Sequence, residues 1–198
     1  MNRGHYDFIP ETCLCKSKHS LNILEKVIAL AVEIAREGRE GKKVGTIFTV
    51  FDADNVLKNS RCMILDPLAL HDDAKKNISD PDLRETVKEL AQLDGAFIVD
   101  KQGVVLSACH YLDVTADNIA LPLGLGSRHF AAASISKKTN CISVVVSESS
   151  VVRIFVEGNM VSEILPEIWL LKNYSPHIEG NYSKRRCNEM TVLDKDTV

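Results

Sequence analysis

A glycine-rich helix start is the clearest anion site in the sequence. The segment Gly124-Leu125-Gly126-Ser127-Arg128-His129 leads into an alanine-rich run. The first N–H groups of a helix have no intrahelical acceptor, and the helix dipole favours an anion there. Arg128 adds a forked cation that suits phosphate oxygens, and His129 adds a hydrogen-bond donor. The segment therefore predicts a phosphate cradle, although its spacing matches neither the P-loop nor the dinucleotide-binding motif. The alternative is a glycine linker with a surface arginine and a histidine packed under the helix.

A carboxylate lies where a predicted helix meets a predicted strand. In Leu93-Asp94-Gly95-Ala96, the glycine permits a sharp bend directly after Asp94. A carboxylate at such a junction projects into a cleft rather than along a helix face. The same residues also suit a plain turn, so this segment alone does not decide between a site and a connection.

A second carboxylate follows a predicted strand at residues 142–146, in the pair Ser147-Glu148. A carboxylate beside a phosphate site would complete a site for Mg²⁺ or Mn²⁺, which prefer oxygen ligands. The alternative for Glu148 is a solvated turn residue.

The composition excludes several classes of protein. The 198 residues are 45% hydrophobic and carry a net charge of −3, so the chain is neither disordered nor basic enough to predict nucleic-acid or anionic-membrane binding. Apolar runs fall short of the ~20 residues that a membrane span needs. The six cysteines are scattered and no secretory signal precedes them, which predicts reduced thiols in a cytoplasmic protein.

Alternating hydrophobic patterns predict an α/β domain with a mixed sheet flanked by helices, because both hairpins and helical crossovers occur. Ser20 is the expected cap of the first helix. The predicted elements are a helix from 20, a strand at 44–51, a short helix within 52–64, a helix at 82–93, strands at 96–99 and 104–106, a helix from 128, strands at 141–146 and 151–156, and a helix-like run at 161–171.

The chain divides into three predicted parts. Residues 1–19 lack a clear period and are expected to form a leader. Residues 20–172 are expected to form one domain. Residues 173–198 are polar, include Lys184-Arg185-Arg186, and are expected to form a frayed tail.

Three segments, around Asp94, Arg128 and Glu148, could carry chemistry, and we call them the chemical segments. Taken in order, they resemble the diadenylate cyclase domain family, known as DAC or DisA-N. The family pattern is Asp-Gly-Ala at a strand start, Gly-x-Arg-His-Arg at a helix start, and a strand closing in Ser-Glu. These stand here as Asp94-Gly95-Ala96, Gly126-Ser127-Arg128-His129 and Ser147-Glu148. Their order and spacing agree from about 44 to 158. The segment Gly45-Thr46-Ile47-Phe48, after a long charged helix, is most similar to the archaeal branch.

The resemblance implies a diadenylate cyclase-like fold and an activity that joins two ATP molecules into cyclic di-AMP with release of pyrophosphate. It implies that two subunits meet face to face, each carrying one ATP, with Mn²⁺ or Mg²⁺ as cofactor. Asp94 would ligate the metal and activate the 3′-hydroxyl, and Glu148 would assist with the metal. The implied catalytic residues are Asp94, Arg128 and His129, and the implied substrate-binding residues are Gly95, Ala96, Gly126, Ser127, Arg128, His129 and Ser147.

Two departures from the family pattern leave an alternative function open. Phe130 stands where a second arginine is usual, and Ser149 stands where a second glutamate often follows. The first change removes one positive charge from the triphosphate site. The alternatives are a sensor module that binds ATP or cyclic di-AMP without turnover, and a plain assembly domain. ATP is the expected partner of a cyclase or of a sensor module, and no nucleic acid or membrane partner is expected.

Overall fold

The computed structural model describes residues 17–113, 119–166, 180–187 and 190–195. The elements in chain order are α1 (Lys18–Glu37), β1 (Thr46–Val50), α2 (Ala53–Lys58), β2 (Ser60–Cys62), a 3₁₀ turn (Asp73–Lys75), α3 (Pro81–Leu90), β3 (Ala96–Val99), β4 (Val105–Leu112), α4 (Ser127–Lys138), β5 (Ile142–Val146), β6 (Val152–Val156), β7 (Asn159–Leu165), β8 (Tyr182–Cys187) and β9 (Met190–Lys195).

The strands of the described residues form one mixed sheet in the order β2-β4-β3-β1-β5-β6-β7-β9-β8. Strands β1 and β3 run parallel, with Phe48 opposite Phe97. The other neighbouring pairs in this sheet run antiparallel. The predicted α/β fold with a mixed central sheet is therefore confirmed.

Helices cover both faces of the centre of the sheet. Phe48 and Val50 pack into a core that includes residues of α1 and α3, whereas Ile47 packs into a second core with residues of α2 and α4. Because both faces of β1 are covered, all five of its residues are buried, including Thr46 and Thr49, instead of alternating between buried and exposed positions. The double cover leaves the strand ends, rather than the faces, available for a site.

The first helix begins earlier than the sequence predicts. Ser17, and not Ser20, is the N-cap, because the Ser17 side chain accepts a hydrogen bond from the Ser20 N–H at 3.1 Å. The apolar period starts only after this polar first turn, so it marks the helix start too late. Gly38 ends the helix with φ of +60°. The predicted leader is wrong for 17–19, and 1–16 lie outside the described residues.

The last part of the chain differs most from the sequence expectation. The helix-like run predicted at 161–171 is wrong for its first half, because 159–165 form β7, while Trp169 lies outside the described residues. The frayed tail is also wrong where the structure describes it, since β8 and β9 pair with each other and β9 pairs with β7. The domain boundary at 172 stays a prediction.

Ion pairs attach α3, the helix that leads to Asp94, to α1. Lys88 is buried, and its Nζ lies 3.2 Å from Glu33 Oε2 and 3.3 Å from Glu37 Oε2, both on α1. Arg84 Nη2 donates to Glu33 Oε1 at 2.6 Å. These contacts supplement the apolar packing between the two helices and hold the direction of α3.

The sequence also led to expectations about the cysteines and about membrane-spanning segments. Among the described residues, Cys62 is an exposed free cysteine, and Cys109 and Cys141 are buried free cysteines. Within the ranges that the structure describes, no helix combines the length and apolar character required to cross a bilayer.

Candidate functional site

A cavity of about 490 Å³ opens at one end of the sheet, beside the start of α4. Charged groups are present in its wall together with apolar and aromatic ones, which is the usual make-up of a small-molecule site. The described lining residues are Ile47, Met63, Asp94, Gly95, Ala96, His110, Tyr111, Leu112, Ser127, Arg128, Phe130 and Ala131.

Arg128 joins the two carboxylates that the sequence singled out. Its Nη2 donates to Asp94 Oδ1 at 3.3 Å, and its Nη1 donates to Glu148 Oε1 at 2.7 Å. The side chain of Asp94 is 78% exposed and that of Glu148 is 63% exposed, so both remain open to a ligand. The three groups are 20 to 54 positions apart in sequence and meet only in the folded chain.

Two features of the backbone place the Arg128 guanidinium. Gly126 is the N-cap of α4, and no side chain caps this helix, so its first turn is not covered by a neighbouring side-chain acceptor. Gly45, just before β1, leaves the space that the guanidinium fills, because a Cβ at that position would lie 2.7 Å from Arg128 Nη1. In the sequence, Gly45 stood out only as part of the family resemblance, and its packing against Arg128 was not predicted.

Asp94 is positioned by the glycine that follows it. Gly95 has φ of +110°, and a Cβ there would lie 2.6 Å from the carbonyl carbon of Cys109. Any other residue would therefore be strained and would also collide with β4. Cys109 has φ of +57°, and the β3–β4 register shifts between Ala96 and Ile98. This bulge re-aims the end of β4 towards the cavity.

Glu148 lies in the tight turn between β5 and β6. The Ser147 N–H donates to the Val151 carbonyl at 2.9 Å, which closes the turn. The Ser147 and Ser149 hydroxyls are 3.0 Å apart, so each faces the other within the turn. Ser149, one of the two departures from the family pattern, thus contributes to turn geometry.

His129 does not line the cavity. Its side chain is buried under α4, where Nε2 is 3.0 Å from Arg153 Nη1 and the ring packs edge-on against Phe155 at 6.3 Å. Of the predicted site residues, the structure brings Asp94, Gly95, Ala96, Ser127 and Arg128 to the cavity wall and Glu148 to Arg128, whereas His129 is placed beneath them. A direct phosphate contact from His129 stays a prediction.

The hydrophobic pattern of the sequence did not indicate the cavity wall formed by the end of β4. The return strand was predicted at 104–106, but β4 extends to Leu112 and brings His110 and Tyr111 to the cavity. The Arg61 guanidinium lies 4.7 Å from the centre of the Tyr111 ring, and this ring is half-exposed.

His110 is held in this wall by polar partners on both ring nitrogens. Its Nδ1 is 3.0 Å from the Ser60 hydroxyl, and its Nε2 is 3.8 Å from Asp66 Oδ2. The Asp66 carboxylate also accepts hydrogen bonds from the Ser107 hydroxyl and the Leu68 and Ala108 N–H groups. Burial lowers the pKa of His110, and the Asp66 charge only partly opposes that effect.

The lowered pKa of His110 predicts that acid destabilises the folded state. Because the folded state binds fewer protons at His110 than the unfolded chain, the free energy of unfolding falls as the pH drops below about 6.5, the ordinary pKa of histidine. His110→Gln is expected to lose less stability than the wild type between pH 7.5 and 5.5, measured by urea unfolding at each pH. The exposed His71→Gln variant is the matched control and should keep the wild-type slope. An unchanged slope in His110→Gln would contradict the prediction.

Residues 33–160, which include all three chemical segments, match the DAC family, described as the DisA bacterial checkpoint controller nucleotide-binding family. The chain belongs to the DAC family. The resemblance predicted from Asp94-Gly95-Ala96, Gly126-Ser127-Arg128-His129 and Ser147-Glu148 is therefore confirmed.

Two curated relatives of this DAC chain are each named diadenylate cyclase. The relative from Methanocaldococcus jannaschii is 48% identical over 149 residues, which cover 75% of this chain and 47% of the relative. The relative from Haloferax volcanii is 34% identical over 170 residues, which cover 85% of this chain and 60% of the relative. The DAC chain thus spans about half the length of the curated relatives it matches. Both organisms are archaea, as the resemblance to the archaeal branch predicted.

One solved structure supports the fold of the DAC chain. It is described as a hypothetical membrane spanning protein from Bacillus cereus, and it matches 75% of this chain and 65% of its own with a TM-score of 0.51. The sequence identity is 18%, so this similarity concerns the fold alone.

Proposed function

We propose that this chain is a diadenylate cyclase, which condenses two ATP molecules into cyclic di-AMP and two pyrophosphates. The observation that carries the proposal is the Arg128 guanidinium held between Asp94 and Glu148 at the edge of the cavity, in a member of the DAC family. A forked cation beside two exposed carboxylates suits a triphosphate and its counterion.

The proposed reaction needs positioning and charge neutralisation. The 3′-oxygen of one ATP attacks the α-phosphorus of the other, the new P–O bond forms, and the bond to the β-phosphate oxygen breaks. Pyrophosphate leaves with that bonding pair, and the Asp94 carboxylate accepts the proton that the 3′-hydroxyl loses. The reciprocal attack of the other 3′-oxygen on the first α-phosphorus forms the second linkage and releases the second pyrophosphate. Arg128 and the first turn of α4, with Ser127, hold the phosphates, and the Met63 and Tyr111 side of the cavity accommodates the base.

The donor set suits a divalent ion as the expected cofactor. Among the described residues, no three His, Cys, Asp or Glu side chains cluster into a cage for a metal. Asp94 and Glu148 nevertheless offer two exposed carboxylates, and Mg²⁺ is usually held by one or two carboxylates together with substrate phosphates. We therefore assign these two residues as the ligands of Mg²⁺ or Mn²⁺. When bound, the ion would neutralise phosphate charge.

The chemistry of the product supports two half-sites in two chains. The product contains two identical adenylates joined by two equivalent linkages, so a two-fold pairing of identical sites is the economical arrangement. The described part of the chain contributes one Asp94, one Arg128 and one Glu148, which is enough for one ATP. Exposed apolar side chains around the cavity, namely Met63, Tyr111 and Phe130, provide surface for such a pairing.

A second candidate function is favoured by Phe130. This side chain lines the cavity and is 40% exposed, where the family pattern has a second arginine. Among the described residues of the cavity wall, Arg128 alone carries a guanidinium. The alternative is therefore a sensor module that binds ATP or cyclic di-AMP without turning it over.

One assay separates these functions. The purified chain is incubated with ATP and Mn²⁺ or Mg²⁺, and nucleotides are identified by chromatography and mass spectrometry, with binding measured by calorimetry. We expect cyclic di-AMP together with pyrophosphate. Binding without product would support the sensor, and the absence of both would contradict both nucleotide functions and favour an assembly domain.

The half-site proposal also predicts a dependence on protein concentration. Specific activity is expected to fall on dilution as pairing is lost, unless a stable assembly already holds the two faces together. Mixing Asp94→Asn with Arg128→Ala should not restore full activity, because every mixed pair keeps a defect in each half-site. Specific activity that stays constant where sizing detects only monomer would contradict paired half-sites.

A further inference from the structure

A buried network of three side chains, Arg153, Glu163 and His129, lies directly beneath the start of α4. Arg153 on β6 and Glu163 on β7 are register partners, and Arg153 Nε donates to Glu163 Oε1 at 2.5 Å. The side chain of Arg153 is 3% exposed and that of Glu163 is fully buried. On the other side, Arg153 Nη1 is 3.0 Å from Nε2 of His129, in the first turn of α4. None of the sequence motifs includes Arg153 or Glu163.

The contact with Arg153 bears on which ring nitrogen of His129 carries the proton. A guanidinium can only donate hydrogen bonds, so Nε2 of His129 must accept and is unprotonated. An unprotonated Nε2 leaves the single proton of a neutral imidazole on Nδ1. Glu163 supplies the counter-charge that keeps the Arg153 guanidinium fixed in orientation, because the Arg–carboxylate contact is both ionic and directional.

Stability alone does not account for the pair. Buried ion pairs contribute little net stability, since the desolvation of both charges offsets their attraction, and apolar residues of similar volume often serve as well. The presence of a buried ion pair is better explained by a neighbouring group whose position the pair fixes. Here it specifies the position of His129, which is adjacent in sequence to Arg128, the residue that spans Asp94 and Glu148.

We propose that Arg153 and Glu163 are positioning residues that hold His129 as its neutral Nδ1–H tautomer and thereby fix the first turn of α4, so that Arg128 faces the phosphates. This inference rests on the proposed function for its effect on turnover. The tautomer of His129 does not depend on that function and can be measured by itself.

The first measurement uses the wild-type protein without nucleotide. Long-range ¹H–¹⁵N correlation spectra distinguish Nδ1–H, Nε2–H and imidazolium forms, and His129 is assigned by its absence in His129→Gln. We expect the neutral Nδ1–H form at pH 7. An Nε2–H or doubly protonated His129 would overturn the proposal whether or not the protein makes cyclic di-AMP.

The second measurement removes both charges together. The double variant Arg153→Met/Glu163→Met removes both members of the described ion pair, so neither of these two charges is buried without the other, and the variant is expected to fold. Its His129 should lose the preference for the Nδ1–H form, and kcat should fall about tenfold or more while KM rises less, because misplacement of a positioning group costs turnover. The matched control is Arg185→Met/Asp194→Met, which removes an arginine–carboxylate pair from β8 and β9 and should keep wild-type constants within twofold.

The outcomes separate the two proposals. A wild-type protein without cyclase activity would count against the proposed function, and ATP affinity then replaces kcat as the readout for the double variant. A folded double variant with wild-type constants and an unchanged His129 tautomer would overturn the positioning role. If the double variant does not fold, Glu163→Gln keeps the acceptor while removing the charge, and its His129 spectrum must differ from the wild type for the proposal to stand.

Discussion

Asp94→Asn is expected to reduce cyclic di-AMP formation about 100-fold or more, because it removes a charged group from the reacting centre. The substitution is nearly isosteric, and the Asp94 side chain is 78% exposed, so packing is not disturbed. What is lost is the carboxylate that faces Arg128 at 3.3 Å and that is proposed to ligate the metal and activate the 3′-hydroxyl.

The measurement is product formation per chain under saturating ATP, with the fold checked by circular dichroism and thermal unfolding. The matched control is Asp54→Asn, an exposed carboxylate in the first turn of α2, which should keep wild-type turnover. If Asp94→Asn retained half of the wild-type turnover, the metal and activating roles of Asp94 would be wrong.

Arg128→Ala is expected to weaken ATP binding and turnover by about 10- to 150-fold, which corresponds to the ~1.5–3 kcal/mol of a charge-assisted hydrogen bond. The variant also leaves Asp94 and Glu148 without the cation that lies between them. Arg128→Lys should recover only part of the loss, because an ammonium group cannot contact both carboxylates or two phosphate oxygens with a planar fork. ATP affinity by calorimetry and kcat by product formation provide the two readouts.

The thermal stability of both Arg128 variants should stay close to the wild type, since ion pairs with exposed partners contribute little to folding. Arg36→Ala, an exposed arginine near the end of α1, is the control for loss of an arginine elsewhere. Equal activity of Arg128→Lys and the wild type would show that the site needs only a charge, and it would contradict the argument from the planar fork.

Much of the fold was predictable because its elements carry local signals. The apolar period of α1 and the hydrophobic runs of β1, β3, β5 and β6 lie where hydrophobic patterning predicts them. The glycine at 126 and the bend at Gly95 were also visible in the sequence, because each marks a local change of backbone direction. The family followed from three such segments in the expected order, and the match over 33–160 confirms it.

Pairing between strands that are distant in sequence determined the two elements, β7 and β4, that the sequence did not predict correctly. The run that begins at Val161 was assigned to a helix, but pairing with β6 and β9 makes 159–165 a strand, in which Ser162 and Glu163 are buried. Strand β4 continues past the predicted end at 106, where the Ser107 hydroxyl donates to Asp66 and His110 lines the cavity. Such environments come from distant residues and leave no local hydrophobic pattern.

The direction of individual side chains was decided in the same way. The sequence by itself determined that Arg128 and His129 open a helix, that Asp94 lies where a helix meets a strand and that Glu148 follows a strand, because backbone propensity and capping act over a few residues. Only the tertiary structure turned Arg128 towards those carboxylates and His129 down to Arg153. Adjacent residues on a helix point about 100° apart, so their partners depend on which strands lie beneath that helix.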